Sequence, residues 1–277
     1  MTKERVDGLR GSAHRIRGYA LDMAEVQGQG YIGQALGVAD ILAVVYGSRL
    51  RFRPDDPHWP GRDRFLLSIG HYAIALYAAL AEYGVIPVEE LRTYGADDSR
   101  LPMSGMASYT PGMEISGGSL GHGLAVAAGM GLGLRHTGNP ALVFNLLSDG
   151  ELDEGSTWEA ALACAHHGLD NVTAIVDVNG LQADGATAGV LRTEPVADKW
   201  RAFGWHALRV DGNDIPALLA AFDQLRAHRG SPSVLICDTR IGRGVRLLEN
   251  RDKAHFMRVE EHEWQIARDQ LQEGSHR

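Results

Sequence analysis

The stretch Ala141-Leu-Val-Phe-Asn-Leu-Leu-Ser148-Asp149-Gly150, answered further on by Asn171-Val-Thr-Ala-Ile-Val-Asp-Val-Asn179-Gly180, decides the fold. Each is an apolar run of strand length that ends in an oxygen-bearing side chain and a glycine. Between them, residues 151–168 have helical character and contain Trp158, Ala160, Ala161, Leu162, Ala163 and Ala165. A strand, a crossover helix and a second strand make a βαβ unit, with parallel strands and a right-handed crossover. Adjacent strands lie roughly 5 Å apart, so neighbouring strands would bring Asp149 and Asn179 together on one ion. Open α/β sheets bind ligands at that carboxyl edge. Asp, Asn and nearby carbonyls are hard oxygen donors, suited to Mg²⁺ or Ca²⁺ rather than zinc. Gly150 and Gly180 let the backbone approach whatever is bound. The pattern reads as a cation-plus-diphosphate site. An Asp at a strand end is also what a helix N-cap looks like, and this stretch alone leaves that alternative open.

Working outward, residues 6–27 and 38–50 read as helices, 65–68 as a short strand and 73–83 as another helix. Residues 102–119 are rich in Gly, Ser, Met and Pro and show no period. A loop of that length is either functional or a mobile connector. Residues 120–135 form a helix dense in Gly and Ala (Gly123, Ala125, Ala127, Ala128, Gly129, Gly131, Gly133). Glycine weakens helices, so such a run predicts close packing against another backbone, a subunit interface included. After the βαβ unit come a strand at 206–210, a helix at 215–228 and a strand at 233–238. The expected fold class is α/β, an open, mostly parallel sheet flanked by helices. Residues 1–277 read as one domain, with a helical N-terminal flank (1–100) and a C-terminal loop/helix (240–277).

Composition narrows the function classes. The chain has 277 residues, 44% of them hydrophobic, enough for one large α/β core. Its net charge is −8 and no Lys/Arg run stands out, which argues against a nucleic-acid partner. Cys164 and Cys237 sit in apolar runs, so buried thiols in a reducing cytoplasm are expected rather than a disulfide. No stretch is long and apolar enough to span a bilayer, and Met1-Thr-Lys-Glu-Arg5 is no secretory signal. A cytoplasmic location is expected.

Five ordered motifs resemble the N-terminal part of transketolase, over about residues 15–255. They are Gly33-Gln-Ala-Leu-Gly-Val-Ala-Asp40-Ile, Arg62-Asp-Arg-Phe-Leu-Leu-Ser-Ile-Gly-His71, Tyr109-Thr-Pro-Gly-Met-Glu114, Gly118-Ser-Leu-Gly-His-Gly123 and Asp149-Gly-Glu-Leu-Asp-Glu154-Gly. The last, with Asn179, is similar to the thiamine diphosphate signature, Ser148 standing where the first glycine is usual. The resemblance implies the thiamine diphosphate-binding fold, with Asp149, Asn179 and the Leu181 carbonyl as ligands of Mg²⁺ (or Ca²⁺). It implies that His71, Gly118, Leu120, His122, Gly150, Glu151, Asn179 and His255 bind the cofactor. Gly150 would offer its N–H to a phosphate oxygen at the positive end of the following helix. His71, His255 and Glu154 are the implied catalytic residues. Glu154 and Glu159 match glutamates that link the two active sites of transketolases across the dimer; acidic residues also simply suit a helix N-terminus. His71 would be a capping residue in any other context. His166 and His167 close a helix, where favourable dipole placement accounts for them.

Departures from the family pattern matter as well. Where transketolases present Ser/Asn-Gly-His-Pro, this chain reads Gln29-Gly30-Tyr31-Ile32, and the histidine expected in the 102–109 loop aligns with Ser104. Phe256 stands where a glycine usually follows the histidine matched by His255. Phenol or hydroxyl in place of imidazole alters proton transfer and pocket shape, so an altered ketose specificity is expected. A full-length transketolase is more than twice this long and carries a second domain that holds the aminopyrimidine ring and supplies an activating glutamate. The resemblance therefore implies the small subunit of a split, two-component transketolase, working with a separate C-terminal subunit as an α2β2 assembly. The alternatives are an α-type subunit of a 2-oxo acid dehydrogenase or decarboxylase, and a non-catalytic interaction subunit.

Overall fold

Apolar residues at Val6, Leu9, Ala13, Ile16, Ala20, Met23 and Ala24 recur every three or four positions and form the buried stripe of helix α1 (Lys3–Gln27). The Thr2 hydroxyl caps its start, accepting from the Arg5 N–H at 3.4 Å. A short strand β1 (Gln29–Gly30), α2 (Ile32–Gly37) and α3 (Ala39–Ser48) follow. Strand β2 (Arg64–Leu67) leads through a tight turn at Gly70–Tyr72 into α4 (Ala73–Glu82). Helices α3 and α4 are apolar nearly all round, and α1 covers both. The Asp40 carboxylate on α3 pairs with Arg17 on α1 in the buried layer and accepts from Asn213 at 3.0 Å. The computed structural model describes residues 2–249, 251 and 254–274. Parts of the expected 240–277 loop/helix, at 250, 252–253 and 275–277, therefore lie outside the described residues, as does Met1.

The second half holds α5 (Gly123–His136), β3 (Val143–Ser148), α6 (Gly155–His166) and β4 (Val172–Val178). A small hairpin of β5 (Leu181–Gln182) and β6 (Gly185–Ala186) precedes α7 (Thr187–Val190) and α8 (Val196–Ala202). Then come β7 (His206–Asp211), α9 (Ile215–Ala227), β8 (Ser233–Asp238), α10 (Arg246–Glu249), β9 (Met257–Arg258) and α11 (Glu263–Gly274).

Five strands form one wholly parallel sheet in the order β2-β3-β4-β8-β7. The expected βαβ unit is β3-α6-β4, and its strands are direct neighbours with Ser148 opposite Asp177. Alternate residues divide between two cores, one on each face. Phe144, Leu146, Ile175, Leu235 and Cys237 pack towards α1, α3, α4 and α9. Val143, Leu147, Ala174, Val176, Val234 and Ile236 pack towards α5, α6 and α8. Burial on both faces explains why these strands read as continuous apolar runs. Cys164 and Cys237 are both buried free thiols. Among the described residues, no helix is long and apolar enough to cross a membrane.

Several expected boundaries shift. The helix expected from residue 120 begins at Gly123, because Leu120 to His122 stay in the loop that precedes it. Helix α8, the β5–β6 hairpin and the antiparallel pairing of β1 with β9 had no counterpart in the expected elements. Residues 102–119 contain no helix or strand. That segment is braced by a bidentate ion pair between Arg62 and Glu114, at 2.7 and 2.8 Å, which joins two of the five sequence motifs.

Candidate functional site

All five parallel strands deliver their carboxyl ends to one edge of the sheet, and the expected residues His71, Asp149 and Asn179 follow three of those ends. At the end of β3, the Asp149 N–H donates to the Asp177 carbonyl at 2.9 Å, continuing the ladder one residue past the strand. One Asp149 carboxylate oxygen accepts from the Gly150 N–H at 2.9 Å. The other accepts from the Gly180 N–H at 2.9 Å and the Thr187 hydroxyl at 3.0 Å. Only the first of these bonds is local. Asp149 thus ties three segments together and is more than a cap on the turn that follows. Gly180 holds φ at +77°, a conformation that favours glycine and that aims its N–H at Asp149.

Asp177 lies near the end of β4, two residues before Asn179, and is fully buried. It accepts from the Tyr72 hydroxyl at 2.9 Å, the Asn179 amide at 2.8 Å and the Thr239 hydroxyl. The Asn179 amide also donates to the Tyr72 oxygen at 2.9 Å, while its own oxygen accepts from the Leu181 N–H at 3.0 Å. Burial pushes both carboxylates up, Asp149 to about 6 with a further contribution from the nearby Asp177. Tyr72, Asp177, Thr187 and Thr239 were not among the expected site residues. The i, i+2 spacing of Asp177 and Asn179 inside an apolar strand was the one available signal.

His71 follows β2. Its placement depends on Gly70, where a Cβ would come within 2.3 Å of the Gly117 backbone. The two loops therefore touch backbone to backbone, and Gly105 adds an N–H to the Gly70 carbonyl at 3.1 Å. The His71 ring lies 4.4 Å from Tyr31 and 5.7 Å from His255, centroid to centroid. Tyr31 also packs edge-on against His255 at 5.5 Å and Phe256 at 5.1 Å. Two of the departures from the family pattern, Tyr31 and Phe256, are thus in contact beside the two candidate histidines. Burial, and then the neighbouring His255, lowers His71 to about 4, so its ring is neutral at pH 7. Burial also lowers His255, opposed by a hydrogen bond to the Leu181 backbone.

The loop at residues 117–122 runs alongside. Gly118 and His122 are exposed, Leu120 is half-buried, and the ring of His122 lies 3.2 Å from the Leu120 carbonyl through Nδ1. Ser104 is exposed on the neighbouring loop and donates to the Gly117 carbonyl at 3.3 Å. Glu151 is fully buried, and its carboxylate braces that loop from beneath. It accepts from the Gly121 N–H at 2.7 Å and from the Ser68 hydroxyl, which in turn accepts from the Gly123 N–H at 3.0 Å. Burial pushes Glu151 up to about 7. Glu154 and Glu159 are exposed on the first turns of α6, Glu154 with its side-chain carbons beside Gly121.

The donor set suits a divalent cation with a diphosphate. Asp149 and Asp177 are buried together, and among the described residues neither is bonded to a Lys or Arg. Two buried carboxylates without counter-charge are costly, and a hard cation answers that cost. Among the described residues no group of three His, Cys, Asp or Glu side chains converges. A cation here would therefore rely on amide, carbonyl, water and phosphate oxygens beside Asp149, the kind of set that Mg²⁺ accepts.

Comparison with known proteins agrees with this geometry. Residues 10–275 match the family described as "Transketolase, thiamine diphosphate binding domain". The chain is 64% identical to the transketolase family protein y4mO of Sinorhizobium fredii over 91% of each chain. It is 36% identical to the 6-deoxy-6-sulfo-D-fructose transketolase subunit SqwG of Clostridium sp. (strain MSTE9), over 96% of this chain and 97% of that protein. A solved transketolase mutant from Pichia stipitis superposes with a TM-score of 0.90 at 29% identity, covering 96% of this chain and 40% of that one. The chain thus spans about two fifths of the length of that solved transketolase, but nearly all of SqwG.

Proposed function

The chain belongs to the family of transketolase thiamine diphosphate-binding domains, and from that footing we propose that it is the small subunit of a two-component transketolase. Its reaction moves a two-carbon ketol unit from a ketose donor to an aldehyde-type acceptor. The observation that carries this reading is the one-sided site. The carboxyl edge of a single sheet gathers Asp149, Asn179 and Gly150, and a protein named as a transketolase subunit aligns with 96% of this chain over 97% of its own length.

In this reading Asp149, Asn179 and the Leu181 carbonyl hold Mg²⁺, with Ca²⁺ as the alternative. Gly118, Leu120, His122 and Glu151 form or support the diphosphate cradle, and Gly150, whose N–H is donated to Asp149 at 2.9 Å, lines it without a side chain in the way. Bound thiamine diphosphate supplies the carbanion chemistry. Asp177 and Tyr72 orient the Asn179 amide, and Thr187 and Gly180 orient the Asp149 carboxylate. His71 and His255 face the substrate side as neutral rings. Glu154, exposed at the start of α6, serves in this reading as a contact to a second copy of the domain. Residues 1–277 act as one domain in the cytoplasm, and a separate chain carrying the pyrimidine-binding domain completes the site as an α2β2 assembly.

Co-expression with the partner tests this. Ketol transfer and tight, Mg²⁺-dependent thiamine diphosphate binding should be found in the co-purified pair and not in the 277-residue chain. Robust ketol transfer by the chain alone, or turnover of a 2-oxo acid by the pair in place of a ketose, would overturn it.

A further inference from the structure

Gln34 sits on α2, 1% exposed, in the segment that the β1–β9 pairing holds against His255. Its Nε2 lies 2.7 Å from the His255 backbone carbonyl and 3.1 Å from His255 Nδ1. A carbonyl oxygen only accepts, so the atom facing it is the amide NH₂, and the flip of the Gln34 side chain is settled. That NH₂ has two hydrogens and two neighbours. The first goes to the carbonyl, and the second points at Nδ1, which must then carry a lone pair.

We infer that Gln34 is a positioning residue that holds His255 as the Nε2-protonated tautomer, so that His255 meets substrate as a hydrogen-bond donor and not as a base. The other nitrogen of a neutral histidine is set by whatever its first nitrogen bonds to. Tyr31 packed edge-on at 5.5 Å and the Gln34 bond to the His255 backbone leave the ring little freedom to turn over. Burial keeps the ring neutral, so its two nitrogens share a single proton. The two candidate histidines are then unlike. In His255, Nδ1 is occupied by Gln34 and Nε2 already bears its proton. No side chain is bonded to the ring nitrogens of His71 among the described residues, which leaves it the group able to take up a proton. The donor role rests on the transketolase reading, but the tautomer does not.

The tautomer can be read on the full chain without partner or cofactor. Long-range ¹H–¹⁵N spectra of ¹⁵N-histidine-labelled protein, with His255 assigned through His255→Gln, should show Nδ1 unprotonated and Nε2 protonated. In Gln34→Glu a carboxylate oxygen, which only accepts, replaces the donor, and the proton should move to Nδ1. If that variant fails to fold, Gln34→Met serves, since loss of the donor should give an averaged, mixed Nδ1 signal. A wild-type Nδ1 that carries the proton, or a folded variant whose Nδ1 signal is unchanged, overturns the assignment. Because the spectra need no activity, their outcome is separate from whether the assembled pair transfers ketol units.

Discussion

The Asp149 carboxylate accepts the Gly180 N–H at 2.9 Å, so the end of one strand is tied to the residue that follows Asn179 on the next. This bond makes the two halves of the candidate cation site a single unit. It also brings a buried negative charge to a place where its other partners are the Gly150 N–H and the Thr187 hydroxyl.

Asp149→Ala should therefore abolish Mg²⁺-dependent thiamine diphosphate binding by the assembled enzyme, since it removes the one charged ligand proposed. Asn179→Ala should weaken binding less, because a neutral ligand is lost. Thr187→Val, which removes one hydrogen bond to the ligand, should weaken it least. Isothermal calorimetry with and without Mg²⁺ ranks the three, and unchanged affinity in Asp149→Ala would remove the metal assignment.

Tyr72→Phe tests the layer beneath. The hydroxyl donates to Asp177 and accepts from Asn179, both at 2.9 Å, inside a fully enclosed pocket. Removing one partner from a buried network costs about 1–3 kcal/mol. Urea denaturation of the chain should show a loss of that size. A midpoint equal to wild type would mean that Asn179 and Thr239 alone satisfy Asp177.

Much of this arrangement was legible in the sequence, and the missing parts share a cause. Strands β3 and β4 with their helix announced themselves because both faces of a parallel strand are buried and the run is apolar throughout. Asp149 and Asn179 could be read from strand ends. Tyr72 and Thr239 could not, because each reaches Asp177 across a sequence separation that no local period encodes. The same holds for the contact of Gly70 with Gly117, the pairing of Arg62 with Glu114 and the bond from Gln34 to His255. The two-residue pairing of β1 with β9 leaves no alternation to detect, yet it brings Tyr31 and Phe256 into contact.

His71 gives a pH prediction. Facing Tyr31, Tyr72 and His255, it is held near 4 in the native chain against an unfolded value of 6.5. Between those limits the unfolded chain takes up a proton that the native chain refuses. Stability present above pH 6.5 is therefore lost as pH falls towards 4, by about 3 kcal/mol at most. Buried Asp149 and Glu151, with raised values, act in the opposite direction. The comparison must therefore be wild type against His71→Gln, whose stability should fall less on acidification. Parallel pH curves would show that His71 titrates normally.

Tyr31 and Phe256 predict specificity. Their rings wall one side of the His71–His255 pair, so a donor that relies on imidazole contacts from that side finds aromatic carbon in their place. Xylulose 5-phosphate with ribose 5-phosphate should be a poor pair for the assembled enzyme beside other ketoses. Tyr31→His should raise kcat/KM for the pentose phosphates by about 10-fold, the scale of a modest change in pocket contacts. Efficient pentose phosphate turnover by wild type would count directly against this.

The last prediction concerns the outer face of α5. Two of its glycines are explained within the chain. A Cβ on Gly123 would strike the Ser68 hydroxyl, and one on Gly131 would come within 2.6 Å of Val172. Gly129 and Gly133 are different, with nothing within 4 Å of a Cβ at either position. In a helix, such glycines cost roughly 0.5–1 kcal/mol each relative to alanine, so a flat surface there needs a reason outside the chain. Val126 on the same helix is 39% exposed and Leu162 on the adjoining α6 is 57% exposed, an apolar surround for a docked partner. Gly129→Ala and Gly133→Ala should each stabilise the isolated chain by about that amount. Gly129→Leu should leave the chain folded but weaken assembly with the partner subunit or a second copy, and with it activity. Sedimentation of the co-expressed pair reads the second effect and thermal unfolding of the chain the first. Full assembly of Gly129→Leu at wild-type affinity would show that this face of α5 stays in solvent.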